Sequence, residues 1–148
     1  ASLGHRVEWL PVGPRGIVDP SEVAGRVQSD TRLVSLMLAN HETGAIQPVA
    51  EVRRRIGTAV SLHTDAAQAI EKIAVNFREL GAAALTASAH KFRGPAGIGL
   101  LLLKRGTPLK PLILGGHQQH GIRPGTESVP LGVGLAAALE AALERLTD

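Results

Sequence analysis

Arg32-Leu33-Val34-Ser35-Leu36-Met37-Leu38-Ala39 is almost continuously apolar, and Val60-Ser61-Leu62-His63 repeats that character before Thr64-Asp65. Short runs rich in Leu and Val suit strands buried on both faces of a parallel sheet. Between the two runs lie a polar loop over 40–47 and a helix that Pro48 opens and that extends through 56. A link of that length containing a helix is what a right-handed parallel crossover requires. The stretch 32–65 therefore reads as a βαβ unit and sets the class of the whole chain as α/β.

Upstream, residues 6–10 read as a short strand, and the prolines and glycines of 11–16 turn the chain. Asp19-Pro20-Ser21-Glu22 then carries the marks of a helix start: an N-cap acid, proline at the first helical position and glutamate at the third. Val23 and Val27, four residues apart, share the inner face of that helix. Downstream, a helical turn after Ala66, a short segment at 73–75 and a turn of helix at 76–80 lead into a strand over 83–88. Residues 97–104 form a further strand. The loop 89–96 between these two is too short for a helical crossover, so the pair runs antiparallel and the sheet is mixed. After an apolar stretch at 109–114 come the glycine-rich residues 115–127, which lack apolar periodicity. A long covering helix over 130–146 closes the chain, with Leu131, Leu135, Leu139 and Leu143 on one stripe.

Composition narrows the function classes. The chain has 148 residues, 44% hydrophobic, 20% charged and 2% aromatic, with no cysteine. One domain with a real core is expected, while disulfides, thiolate metal sites and a cysteine nucleophile are excluded within these residues. No apolar run reaches membrane-spanning length, and a cytoplasmic protein is the expectation. The net charge of +3 comes from scattered residues, apart from Arg53, Arg54 and Arg55, which read as the charged exposed side of a short helix. A basic stripe with stacking aromatics is lacking, so no nucleic-acid partner is expected. His117 and His120, or His63 and His90 at strand ends, lack the carboxylates that would complete a metal site.

In open α/β sheets ligands bind at the carboxyl ends of the strands. Three polar clusters stand there: Asn40-His41-Glu42-Thr43-Gly44, His63-Thr64-Asp65-Ala66-Ala67-Gln68 and Ser88-Ala89-His90-Lys91. An acid closing a buried strand needs a partner, and the protonated ring nitrogen of a heterocycle would supply one to Asp65. A helix cap is the other reading of the same residue. Lys91 follows a strand in a loop bounded by glycine and proline, where partial burial would depress its pKa and make a usable amine. The glycines at 94, 97 and 99 match neither a Walker loop nor a dinucleotide fingerprint. A lysine for an imine, an aspartate for a pyridinium nitrogen and hydroxyl and amide groups nearby are the usual protein contribution to pyridoxal phosphate chemistry.

The three clusters with their flanks, 34–48, 63–68 and 88–99, together with 115–128, also resemble in order and spacing the motifs of the cysteine desulfurases, pyridoxal-phosphate enzymes of the class V aminotransferase group. The resemblance implies the aspartate aminotransferase-like (fold type I) large domain, a three-layer α/β/α with a mostly parallel mixed sheet. It implies that Lys91 carries the cofactor, that Asp65 pairs with its ring nitrogen and that Gln68 bonds its phenolic oxygen. Ser88 and His90 would bind the phosphate, with Lys91 and His90 the catalytic candidates. Asn40 and His41 would face cofactor or substrate, His41 standing where many members have a second asparagine; a histidine there can donate a hydrogen bond but changes charge near neutral pH. Thr126 would reach the phosphate in a partner subunit, which implies a homodimer.

The activity implied is conversion of L-cysteine to L-alanine, with sulfur passing to an enzyme cysteine and then to an acceptor protein, as in iron–sulfur cluster assembly. The family's phosphate loop precedes the matching region, and its sulfur-accepting cysteine and small domain follow it. Residues 1–148 are accordingly expected to be a partial large domain with doubtful activity alone. A selenocysteine lyase, another class V aminotransferase, or a non-catalytic fragment that acts only in association are the alternatives.

Overall fold

The computed structural model describes residues 4–146. Helix α1, Pro20–Arg26, begins as its sequence predicts: Asp19 accepts a 2.7 Å hydrogen bond from the Ser21 N–H, and proline occupies the first turn. Strand β1, Leu33–Met37, is followed by α2, Val49–Ile56, and β2, Ser61–Asp65. β1 and β2 pair in parallel, Leu33 opposite Ser61 and Met37 opposite Asp65. Helix α3, Phe77–Leu80, is capped by Asn76 and leads to β3, Ala84–Ser88, parallel to β2. Strand β4, Gly99–Leu103, returns antiparallel to β3, with Ser88 opposite Gly99. The short loop predicted that reversal. The sheet order is β1-β2-β3-β4, and α4, Val129–Arg145, completes the described chain.

One core fills the space between the helices and one face of the sheet. Val34 and Leu36 of β1, Leu62 of β2 and Leu85 and Ala87 of β3 meet Val23 of α1, Val49, Val52 and Ile56 of α2, and Ala142 of α4. The spacing of the three α2 residues turns one stripe of that helix inward. The other face differs from the expectation of strands buried on both sides. Leu33, Ser35 and Met37 of β1 are exposed, and burial alternates along β1, β2 and β3. Alternate side chains point to opposite faces, and among the described residues the buried helix residues all join the first face's core.

Two further expectations change. Residues 6–10 form no strand; among the described residues no strand pairs with them, Val7 and Trp9 are exposed, and Glu8 is tied to α1 by a 2.7 Å ion pair with Arg26. In α4 the expected stripe holds through Leu131, Leu135 and Leu139 and fails at Leu143. Leu135, Ala138 and Leu139 pack on the core and Ala142 is fully buried, whereas Leu143 is 55% exposed. Small residues allow α4 to come close. A Cβ added at Gly94 would lie 3.1 Å from the Ala138 Cβ, and one at Gly134 would lie 3.1 Å from the Pro95 ring.

Arg53 also departs from its reading as part of an exposed charged face. It donates to the Gly57 and Val60 carbonyls, the latter at 3.0 Å, and so closes the C-terminal end of α2. Burial pushes its pKa below the ordinary value.

Candidate active site

The site is built where β1, β2 and β3 end. Strand β2 ends at Asp65, whose Oδ1 accepts a 2.8 Å hydrogen bond from the Ala67 N–H and so starts a tight turn. The Ala66 N–H donates to the Thr86 carbonyl at 2.9 Å, pinning this turn to β3. Asp65 is exposed, and its Oδ2 has no partner among the described residues. Its two sequence readings are therefore compatible: one oxygen caps a turn and the other remains available to a ligand.

Strand β3 ends at Ser88, which precedes the one-turn 3-10 helix Ala89–Phe92. Ala89 and Phe92 are fully buried, so the turn is anchored by its first and last residues. His90 and Lys91 between them are exposed. The partial burial expected of Lys91 is not found, because the apolar residues of so short a turn take the inward positions. The Ser88 hydroxyl makes no capping bond, and Lys91 has no ion-pair partner among the described residues. Arg93 ends the turn at φ 65°, with its N–H bonded to the Ala89 carbonyl.

Beyond β1, Asn40 uses its side chain to shape the loop. Its Oδ1 accepts from the N–H groups of Glu42 and Thr43 at 2.8 and 3.1 Å. Asn40, His41, Gly44, Gln68 and Lys72 line a cleft of about 290 Å³. The structure thus brings together three of the residues singled out in the sequence, Asn40, His41 and Gln68, and adds Lys72. Lys72 stands four residues after Gln68, a spacing that places both on one side of a helical turn and was the available signal. Thr126 is exposed on the 115–127 loop, after Gly125 at φ 111°, and does not line this cleft.

Behind the strand ends, His63 spans three strands. Its Nδ1 lies 2.8 Å from the Ser35 hydroxyl and its Nε2 lies 3.1 Å from the Thr86 hydroxyl. No group of three His, Asp or Glu residues suited to a metal ion occurs among the described residues. No helix among them is long and apolar enough to cross a membrane.

The family model for class-V aminotransferases matches residues 1–146. The chain is 42% identical to the cysteine desulfurase IscS of Dictyoglomus turgidum, an alignment that covers 99% of this chain and 39% of the relative. Among solved structures, a NifS-like protein superposes with a TM-score of 0.94 at 43% identity, covering 99% of this chain and 41% of that one. A structure of SspA in complex with cysteine superposes with a TM-score of 0.89 at 34% identity, covering 94% and 41%. The mixed, mostly parallel sheet flanked by helices is the architecture of a fold type I large domain.

The chain belongs to the class-V aminotransferase family, and relatives it matches within that family include cysteine desulfurases. It spans about two fifths of their length. Pyridoxal phosphate is the cofactor that membership implies, and the strand-end chemistry fits it. Among the described residues one Asp65 carboxylate oxygen, the Ser88 hydroxyl and the Lys91 side-chain nitrogen have no partner, which leaves them for a ring nitrogen, a phosphate and an imine.

Proposed function

We propose that the chain is the cofactor-lysine portion of a pyridoxal-phosphate-dependent cysteine desulfurase. The observation that carries the reading is the placement of Asp65 and Ser88–Lys91 at the carboxyl ends of adjacent parallel strands, with Asp65 Oδ2, the Ser88 hydroxyl and the Lys91 amine unpartnered among the described residues. Lys91 would hold the cofactor covalently, Asp65 would hold its ring nitrogen protonated, and Ser88 and His90 would take its phosphate. Gln68, Asn40 and His41 would face the ring and the substrate. When bound, pyridoxal phosphate supplies an electron sink that labilises bonds at the substrate α- and β-carbons.

In the overall reaction the C–S bond of L-cysteine breaks, alanine leaves, and the sulfur passes to a cysteine thiolate as a persulfide. These 148 residues contain no cysteine, so that thiolate comes from outside them. The cysteine in the SspA complex supports the substrate class. A homodimer with Thr126 directed to the partner's cofactor, transfer to a sulfur-acceptor protein serving iron–sulfur cluster assembly, and a cytoplasmic location complete the proposal.

The test is alanine release from L-cysteine by the protein that carries this chain, alongside L-selenocysteine and amino transfer to a keto acid. Alanine and persulfide from cysteine support the reading. Amino transfer alone, or activity confined to selenocysteine, overturns the desulfurase assignment in favour of another class V reaction.

A further inference from the structure

Glu71 and Arg93 are both non-glycine residues in the left-handed region, at φ 72° and 65°. Such residues carry backbone strain that surrounding contacts must hold in place. Here their side chains meet: Arg93 Nε lies 2.7 Å from Glu71 Oε1. Arg145 Nε of α4 lies 2.8 Å from the same oxygen. Neither N–H points along a hydrogen-bond direction, since Oε1 has no directional partner, so these contacts act as charge pairs. The Glu71 side chain is only 11% exposed, and it borders an apolar recess of about 210 Å³ lined by Ile70, Phe77, Leu85 and Leu139. Of its two partners, Arg145 is the more enclosed, with a side chain 34% exposed, while the Arg93 side chain is 73% exposed and its pair with Glu71 is weakened by solvent.

The placement gives the pairs a role. Glu71 belongs to the turn that starts at Asp65 and carries Gln68; Arg93 ends the 3-10 turn that carries Lys91. We propose that Glu71 is a positioning residue that locks the Lys91 turn against the Asp65–Gln68 turn and against α4, presenting the Lys91 amine in the place the cofactor requires. This inference rests on the cofactor role of Lys91 proposed above. Ala89 and Phe92 anchor the buried side of the Lys91 turn, and Glu71 fixes its exposed end.

The substitution Glu71→Gly separates the carboxylate from the backbone, because glycine adopts φ 72° without strain. Glu71→Gln removes the charge at nearly constant shape and serves where the glycine variant folds poorly. Two cofactor forms separate positioning of Lys91 from general damage. Pyridoxal phosphate condenses with the lysine amine with loss of water, and borohydride then delivers hydride to the C=N bond and fixes the adduct for peptide mass mapping. Pyridoxamine phosphate forms no bond to Lys91 and reports the remaining contacts.

Both variants are expected to raise the pyridoxal phosphate concentration for half-maximal labelling of Lys91 by about ten-fold, with pyridoxamine phosphate affinity changed by less than about two-fold. In the cofactor-free protein, amide exchange at residues 89–93 should accelerate by about ten-fold. Equal weakening of both cofactor forms, or no change in either, overturns the positioning role. Absence of labelled Lys91 in the unsubstituted protein overturns the cofactor reading itself, and the inference with it.

Discussion

Asp65 Oδ1 accepts a 2.8 Å hydrogen bond from the Ala67 N–H, so the acid that would serve the cofactor also builds the turn that displays it. An asparagine side chain at this position can keep the bond, whereas alanine cannot. Asp65→Asn is expected to leave the melting temperature of the cofactor-free protein nearly unchanged, and Asp65→Ala to cost about 1 kcal/mol, roughly 3–5 °C. Turnover should fall by at least about 100-fold in both, because each removes the negative charge that would keep a ring nitrogen protonated. Calorimetry beside an alanine-release assay checks the split.

Gly94 is fixed by close approach. A Cβ there would lie 2.9 Å from the Ala89 Cβ, 3.0 Å from the Ala89 carbonyl oxygen and 3.1 Å from the Ala138 Cβ. Since the carbonyl is backbone, Gly94→Ala should push α4 and the Lys91 turn apart and cost about 1–3 kcal/mol. Gly132, in the interior of α4, has nothing within 4 Å of an added Cβ. Gly132→Ala should stabilise by roughly 0.5–1 kcal/mol through helix propensity. Opposite signs in urea denaturation of the two variants are the expected result.

Arg53 closes the end of α2 through the Gly57 and Val60 carbonyls, and its stem fills the space beside Gly81, where a Cβ would lie 2.9 Å from the Arg53 Cγ. Removing both the bonds and the packing in Arg53→Ala should cost about 1–2 kcal/mol. Arg53→Lys should recover part of it, read as the shift in urea midpoint.

The Glu127 carboxyl is held below its ordinary value by accepting a hydrogen bond from its own backbone N–H and another from the Gln119 side-chain amide at 3.0 Å. A depressed folded value means a contribution that is full above the ordinary 4.5 and is lost as the pH falls through the folded value. Amide protection in residues 117–127 should therefore weaken on acidification below that range. Glu127→Gln should abolish this pH dependence.

The βαβ core is legible in the sequence because apolar runs and crossover length are strong constraints: β1, α2 and β2 fall where 32–65 places them, and the short loop after Ser88 reveals the reversed strand. Residues 6–10 mislead because the alternating charged and apolar pattern of Arg6-Val7-Glu8-Trp9-Leu10 looks the same with or without a neighbour to pair with. The strand ends that collect Asp65, Gln68 and Lys91 are readable from position alone. Several contacts are not. Gln47 accepts from the Val18 N–H at 3.0 Å and donates to the Gly16 carbonyl at 2.7 Å, a buried amide whose partners lie about thirty residues away. Glu71 and Arg93 give no local signal because charged residues at positive φ run against propensity. The exposure of Lys91 depends on which residues of a one-turn helix face inward, a choice that packing of Ala89 and Phe92 makes.

The proposed function stands or falls with Lys91 as the cofactor lysine. Borohydride reduction of the protein with pyridoxal phosphate, followed by peptide mass mapping, tests it most directly. A single pyridoxyl group on Lys91, lost in Lys91→Ala, is the result expected. Label absent from Lys91, or shared evenly with Lys72 of the neighbouring cleft, would contradict the account.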